Sequence, residues 1–173
     1  ATSAETPAAQ ALAAATPAQA SRASVNSRAA SARVQSLQPP VWIERAGQRT
    51  PLKASVNLQA GDKLVTGAGA RVHLALPDDS TLKLGADADF QLGALEVTDQ
   101  GDESVLIGTL KVLKGAFRYT TQAVGKLKRR DLAVNVGGVI TAGVRGTDLW
   151  GKADGKQDLV CLLDGRIEVA ARD

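Results

Sequence analysis

The sequence predicts an all-β domain of short strands, built as a β-solenoid-like coil or a β-sandwich, behind a disordered or transiently helical N-terminal tail. Three observations carry this expectation. From Val41 onward, apolar and polar residues alternate with period two in short runs separated by Gly and Asp clusters. Glycine is frequent, at 17 of 173 residues, which favours tight turns over long helices. Residues 1–40 are rich in Ala, Ser, Gln, Thr and Pro and carry few large apolar side chains, too few to offset the entropy of ordering them.

The elements follow in chain order. Residues 1–40 read as a flexible linker punctuated by Pro7, Pro17, Pro39 and Pro40. A helix capped by Thr16 and started by Pro17 would have only Val25, Ala29, Ala32 and Leu37 as its apolar face, which is too thin to hold it folded alone. Residues 41–173 read as the β domain. Arg71-Val72-His73-Leu74-Ala75-Leu76 alternates cleanly, Pro77-Asp78-Asp79 turns the chain, and Thr81-Leu82-Lys83-Leu84 alternates again. Gly85-Ala86-Asp87 turns once more before Asp89-Phe90-Gln91-Leu92. Further strands are expected over 94–99, 104–112, 115–120, 131–136, 147–152, 158–163 and 166–171. Aromatics make up only 3% of the chain, so the core must be aliphatic.

Charge and chemistry exclude more than they include. The formal net charge is +3, of which residues 1–40 hold two, so the β domain is nearly neutral. One basic run, Lys126, Lys128, Arg129 and Arg130, has no interleaved aromatics of the kind a single-stranded nucleic-acid platform uses. It reads as a solvated loop or a contact for an anionic partner, and no nucleic-acid partner is expected. His73 is the only histidine and shares parity with Arg71, away from Val72 and Leu74, so it belongs on the solvent side. Cys161 is the only cysteine and sits in an apolar run, which reads as a buried structural thiol. One His and one Cys far apart make a zinc site untenable, and no Walker motif, nucleophile elbow or dinucleotide glycine pattern is present. The acidic clusters Asp78-Asp79, Asp87/Asp89 and Asp99/Asp102/Glu103 fall in expected turns, where Asp bonds to the backbone. No enzyme activity, cofactor, metal or transmembrane helix is expected.

Four ordered segments resemble the FecR family. Gly61-Asp62-Lys63-Leu64-Val65-Thr66-Gly67-Ala68-Gly69-Ala70-Arg71 is similar to the family's opening segment. Leu74-Ala75-Leu76-Pro77-Asp78-Asp79-Ser80-Thr81-Leu82 is similar to its Asp-Gly-Ser hairpin, with Asp79 where the family usually has Gly. Leu113-Lys114-Gly115-Ala116-Phe117-Arg118 matches an internal strand pair. The most specific part is Val144-Arg145-Gly146-Thr147-Asp148, followed by Leu163-Asp164-Gly165-Arg166-Ile167-Glu168-Val169, with Asp148 in place of the commoner Glu or Asn.

The resemblance implies a FecR-like domain over about 41–173, working in the periplasm of a Gram-negative cell. Members include membrane-bound regulators of sigma factors whose periplasmic part senses a TonB-dependent receptor. Anti-sigma helices before residue 41 and a receptor-type module after residue 173 are not expected, so the full iron-transport signalling role is not expected simply to carry over. Arg145, Gly146, Thr147, Asp148 and Gly165 are the expected structural motif. Arg145, beside the near-apolar run 139–144, has five donors that suit a hub tying carbonyls and a carboxylate such as Asp148 or Asp164. The expected function is a non-enzymatic sensory or protein-interaction module of the cell envelope, contacting an envelope protein through strand edges and turns. The alternative is a module that binds envelope glycan, polysaccharide or peptidoglycan, with Lys126, Lys128, Arg129 and Arg130 as contacts.

Overall fold

The computed structural model describes residues 26–121, 129–137 and 140–171, without the side chains of 140–146 and 171. The described residues form thirteen strands and no helix: β1 (Asn26–Ala29), β2 (Ala32–Gln38), β3 (Val41–Arg45), β4 (Gln48–Pro51), β5 (Asn57–Leu58), β6 (Lys63–Thr66), β7 (Arg71–Ala75), β8 (Thr81–Leu84), β9 (Asp89–Gln100), β10 (Glu103–Thr120), β11 (Arg129–Val136), β12 (Ile140–Ala153) and β13 (Asp158–Ala171). They belong to one strongly curled, half-barrel sheet ordered β4-β3-β6-β9-β10-β8-β7-β2-β5. β1 adds to β9, and β11, β12 and β13 extend from β10. Pairing is antiparallel throughout except for β10 with β11, which is parallel. The all-β expectation therefore stands, while a half-barrel replaces the solenoid or sandwich.

β10 is the spine. Its first part, up to Lys114, lies between β9 and β11; its last part, from Gly115, lies between β8 and β12. The handover needs a glycine. Gly115 has φ +93, and a Cβ there would stand 2.6 Å from the Ala88 Cβ. β12 makes a matching change, pairing with β11 through Ile140–Val144 and with β10 through Asp148–Ala153.

The expected short strands are in part pieces of long ones. Segments 104–112 and 115–120 are the single β10, residues 89–92 and 94–99 join in β9, and 158–163 and 166–171 join in β13. Gly93 and Gly165 fall between expected strands, and Gly115 at the start of one, yet each sits inside a longer strand. Gly93 lies at a register shift opposite Thr109, whose carbonyl oxygen would be 2.9 Å from an added Cβ. Glycine inside a strand marks a bulge or a close backbone approach as readily as a turn.

A second correction concerns the tail. Residues 26–38, expected as linker, form β1 and β2, which pair with β9 and β7. Ala32 and Val34 are buried in the common core. Two small inward side chains are a faint sequence signal, and pairing with β7 supplies what local composition does not. Residues 1–25 lie outside the described residues. Pro39 and Pro40, joined by a cis peptide bond, separate β2 from β3.

The core is aliphatic, with Phe90, Phe117 and Tyr119 its buried aromatics. Inward positions run without a break along Val72, Leu74, Leu76, Asp78, Ser80, Leu82 and Leu84, through the β7–β8 turn itself. His73 lies half-exposed on the other face, as its parity predicts, and its pKa is lowered by burial and by neighbouring Lys83 and Arg71. Cys161 is a free, half-buried thiol on β13, not a core residue, because it stands on the outer face of the sheet opposite exposed Trp150.

Candidate functional site

Three features stand out: a buried polar network, a groove beside it and the terminal hairpin. The network starts in the β7–β8 turn. Asp79 N–H donates to the Leu76 carbonyl at 3.0 Å, and Leu76 N–H to the Ser80 carbonyl at 2.9 Å. Asp79 has φ +64, the left-handed conformation that glycine adopts without strain, so the turn keeps the geometry of an Asp-Gly-Ser hairpin.

Asp78 accepts from Ser80 N–H at 3.1 Å and from the Ser80 hydroxyl. Its other oxygen accepts from Arg130 Nε, and the two side chains are 0% and 9% exposed. The Tyr119 hydroxyl donates to Ser80 Oγ at 3.1 Å. Burial, with Asp78 nearby, raises the Tyr119 pKa, so the phenol stays neutral. Arg130 is thus a buried structural partner that pins β11 to the β7–β8 turn, not a solvated contact. The signal that would have found Asp78 is its inward parity between Leu76 and Ser80. Arg130 lies 52 residues away and had no local signal.

The rest of the basic run gives less. Arg129 faces Glu103 at 3.6 Å on the surface, while Lys126 and Lys128 lie outside the described residues. The Asp99 turn is likewise engaged with protein: Asp99 accepts from Ser104 at 2.6 Å and Arg28 at 2.9 Å. Among the described residues no three metal-ligating side chains cluster.

An open groove of about 690 Å³ runs between the β1–β2 connection and the β7–β8 turn. Arg28, Ser31, Arg33, Asn57, Asp79 and Ser104 are among its lining residues. Arg28 is paired with Asp99, whereas no carboxylate pairs with Arg33 among the described residues.

Near the Asn57 side of this groove, Asp62 ties the opening segment together. It is buried, accepts from Arg45 Nε at 2.9 Å and from Gln59 N–H at 2.7 Å, and Arg45 also reaches the Asn57 carbonyl at 2.9 Å. Burial opposes its charge, but Arg45 and the Gln59 amide outweigh that and hold the carboxyl below the usual range.

The Arg145–Asp148 segment is the corner where β12 changes partners. The β12–β13 ladder steps from Val144 opposite Ile167 to Thr147 opposite Gly165, so residues 145 and 146 form a bulge. The Arg145 side chain lies outside the description. Asp148, one of its expected partners, is bound by Arg118 at 2.7 and 3.1 Å, with Thr120 at 3.3 Å, and Arg118 holds its pKa low against burial. Thr147 is buried, and its carbonyl accepts from Thr121 N–H at 3.0 Å. Gly165 takes φ +96 opposite it.

The β12–β13 hairpin exposes Trp150, Leu159, Leu162, Leu163 and Val169, five of the six exposed large apolar residues described. No described helix is long and apolar enough to cross a membrane.

No curated protein and no solved structure matches the chain. A family model described as FecR protein matches residues 62–168, from Asp62 before β6 to Glu168 in β13. β1 to β5 precede that match and complete the same sheet. With most of its length matched, the chain belongs to the FecR family, whose domains are non-catalytic signalling and adaptor modules, and it is not an enzyme.

Proposed function

We propose that this chain is a periplasmic sensory or protein-interaction module of the cell envelope, and that β12–β13 is its contact surface. The observation that carries this reading is the concentration of exposed Leu, Val and Trp side chains on one hairpin whose last strand pairs with β12 alone among the described residues. Exposed apolar clusters mark interaction sites, and a strand edge offers unpaired backbone groups to an incoming chain. A photo-crosslinking residue at Leu163 in the envelope of producing cells should capture a defined protein, while one at Arg49 on β4 should not. Equal capture at both positions, or none at Leu163, contradicts the reading.

Within this proposal the Arg145–Asp148 corner, with Gly165 opposite, is structural. Arg145→Ala should lower the melting temperature; unchanged melting with lost partner binding would reverse that assignment.

A second reading is a glycan-binding module, favoured by the groove with Arg33. Its ligand would be an acidic polysaccharide, with Lys126 and Lys128 as further contacts. Salt-sensitive binding to purified exopolysaccharide or sacculi that Arg33→Ala abolishes would support it, and salt-independent binding or none would exclude it.

A further inference from the structure

We infer that the partner of β13 is a second copy of this chain, added antiparallel about a two-fold axis at Gly165. This rests on the reading of the hairpin as a contact surface and names its occupant. Among the described residues β13 pairs with β12 alone, along its whole length apart from Leu163 and Arg166.

The face that β13 presents is unfinished. Val160 and Leu162 stand opposite Gly151 and Leu149, both buried, so they continue the inner face of the sheet. Gly165 faces buried Thr147, and Ile167 and Val169 follow on that same side. Val160 and Ile167 pack partly on the core, yet Leu162 is 42% and Val169 58% exposed. The inner residues have a neighbour on one side only, as in a strand with another meant to lie beyond it.

The strand is complementary to itself. Leu163 is an extra residue, since the ladder steps from Asp148 opposite Asp164 to Leu149 opposite Leu162. A second β13 in the same alternation would set Asp164 against the partner copy's Arg166, and Arg166 against its Asp164. Skipping the bulge, Ile167 faces Leu162 and Val169 faces Val160, each twice by symmetry. The inner Val160, Leu162, Ile167 and Val169 then each meet an apolar residue, and two ion pairs flank the axis. A glycine faces a glycine at the axis, with no Cβ on either copy to hinder the approach or to strain the positive φ there. Such an isologous arrangement closes after two copies and buries the edge.

Sedimentation velocity across a dilution series tests this. The native chain should form a dimer that dissociates on dilution. Asp164→Arg and Arg166→Asp, each placing like charges across the axis, should each weaken it at least tenfold, and the double exchange D164R/R166D should restore it. Far-ultraviolet spectra establish that the variants fold. Glu168 would lie opposite Cys161 in this register, so Glu168→Cys should give a disulfide-linked dimer under mild oxidation, mapped to 161–168. C161S/E168C should lack that link. A dimer indifferent to both single exchanges and without the 161–168 link overturns the register. A monomer at every concentration that still crosslinks another protein from Leu163 overturns the second copy and leaves the interaction reading standing. A monomer without such crosslinks overturns both.

Discussion

The sheet is finished differently at its different margins. At one, β4 is four exposed residues, Gln48-Arg49-Thr50-Pro51, polar and closed by a proline; at another, β5 is two residues long. Short, polar or proline-bearing edges deter pairing with other chains. β13 has none of these protections apart from Gly165 and its charged neighbours: it runs for fourteen residues with leucine and valine on its surface. The contrast extends inward. The β7–β8 turn satisfies its buried charge within the fold, through Arg130, Ser80 and Tyr119. The terminal hairpin leaves apolar surface for something outside itself. One part of the domain satisfies its polar groups internally, and the other carries the surface proposed for contact.

Substitutions should separate the two parts by size of effect. Arg130→Ala strands the Asp78 carboxylate in the core, and breaking a buried pair costs about 3–5 kcal/mol. Thermal unfolding should drop by roughly 10 °C for a chain of this length. A loss under about 1 kcal/mol would mean that the network is not what holds β11 to the turn. Tyr119→Phe removes one hydrogen bond to Ser80 and should cost about 1 kcal/mol in denaturant unfolding.

Acid should act on the closed part as well. Asp62 has its carboxyl pKa depressed in the folded state, so its contribution is complete above the unfolded value of about 4 and is lost as pH falls through the folded value. Asp62→Asn should flatten the acid limb of the stability profile; an unchanged limb would place the sensitive group elsewhere. Asp79→Gly removes left-handed strain at a non-glycine residue and should be neutral or stabilising by up to about 1 kcal/mol. Leu163→Ser should change monomer stability least, within about 0.5 kcal/mol, while reducing association through the hairpin.

What was legible in the sequence follows the same division. Alternation at Arg71–Leu76 and Thr81–Leu84 is strict because one face is buried, and it gave β7, β8 and the side of His73 directly. The aliphatic core followed from scarce aromatics. The long strands β9 and β13 were hidden because Gly93 and Gly165 bend a strand with the same residue that ends one. The Asp78–Arg130 pair was hidden because its members meet only through β10 and the turn, and an Asp pair after proline looks like solvated turn chemistry. β2 was hidden because Ala32 and Val34 owe their burial to β7. The open edge was half visible: the apolar run at 158–163 predicted a strand, but also a buried Cys161, because a continuous apolar run does not tell which of its two faces is covered.

The central claim is that this sheet is closed at β4 and open at β13. Amide hydrogen exchange of the whole chain, measured across a dilution series, tests it most directly. The account predicts that β13 amides gain protection as concentration rises while those of β4 stay unchanged. Protection of β13 that is the same at every concentration, or a gain that appears in β4 instead, would contradict it.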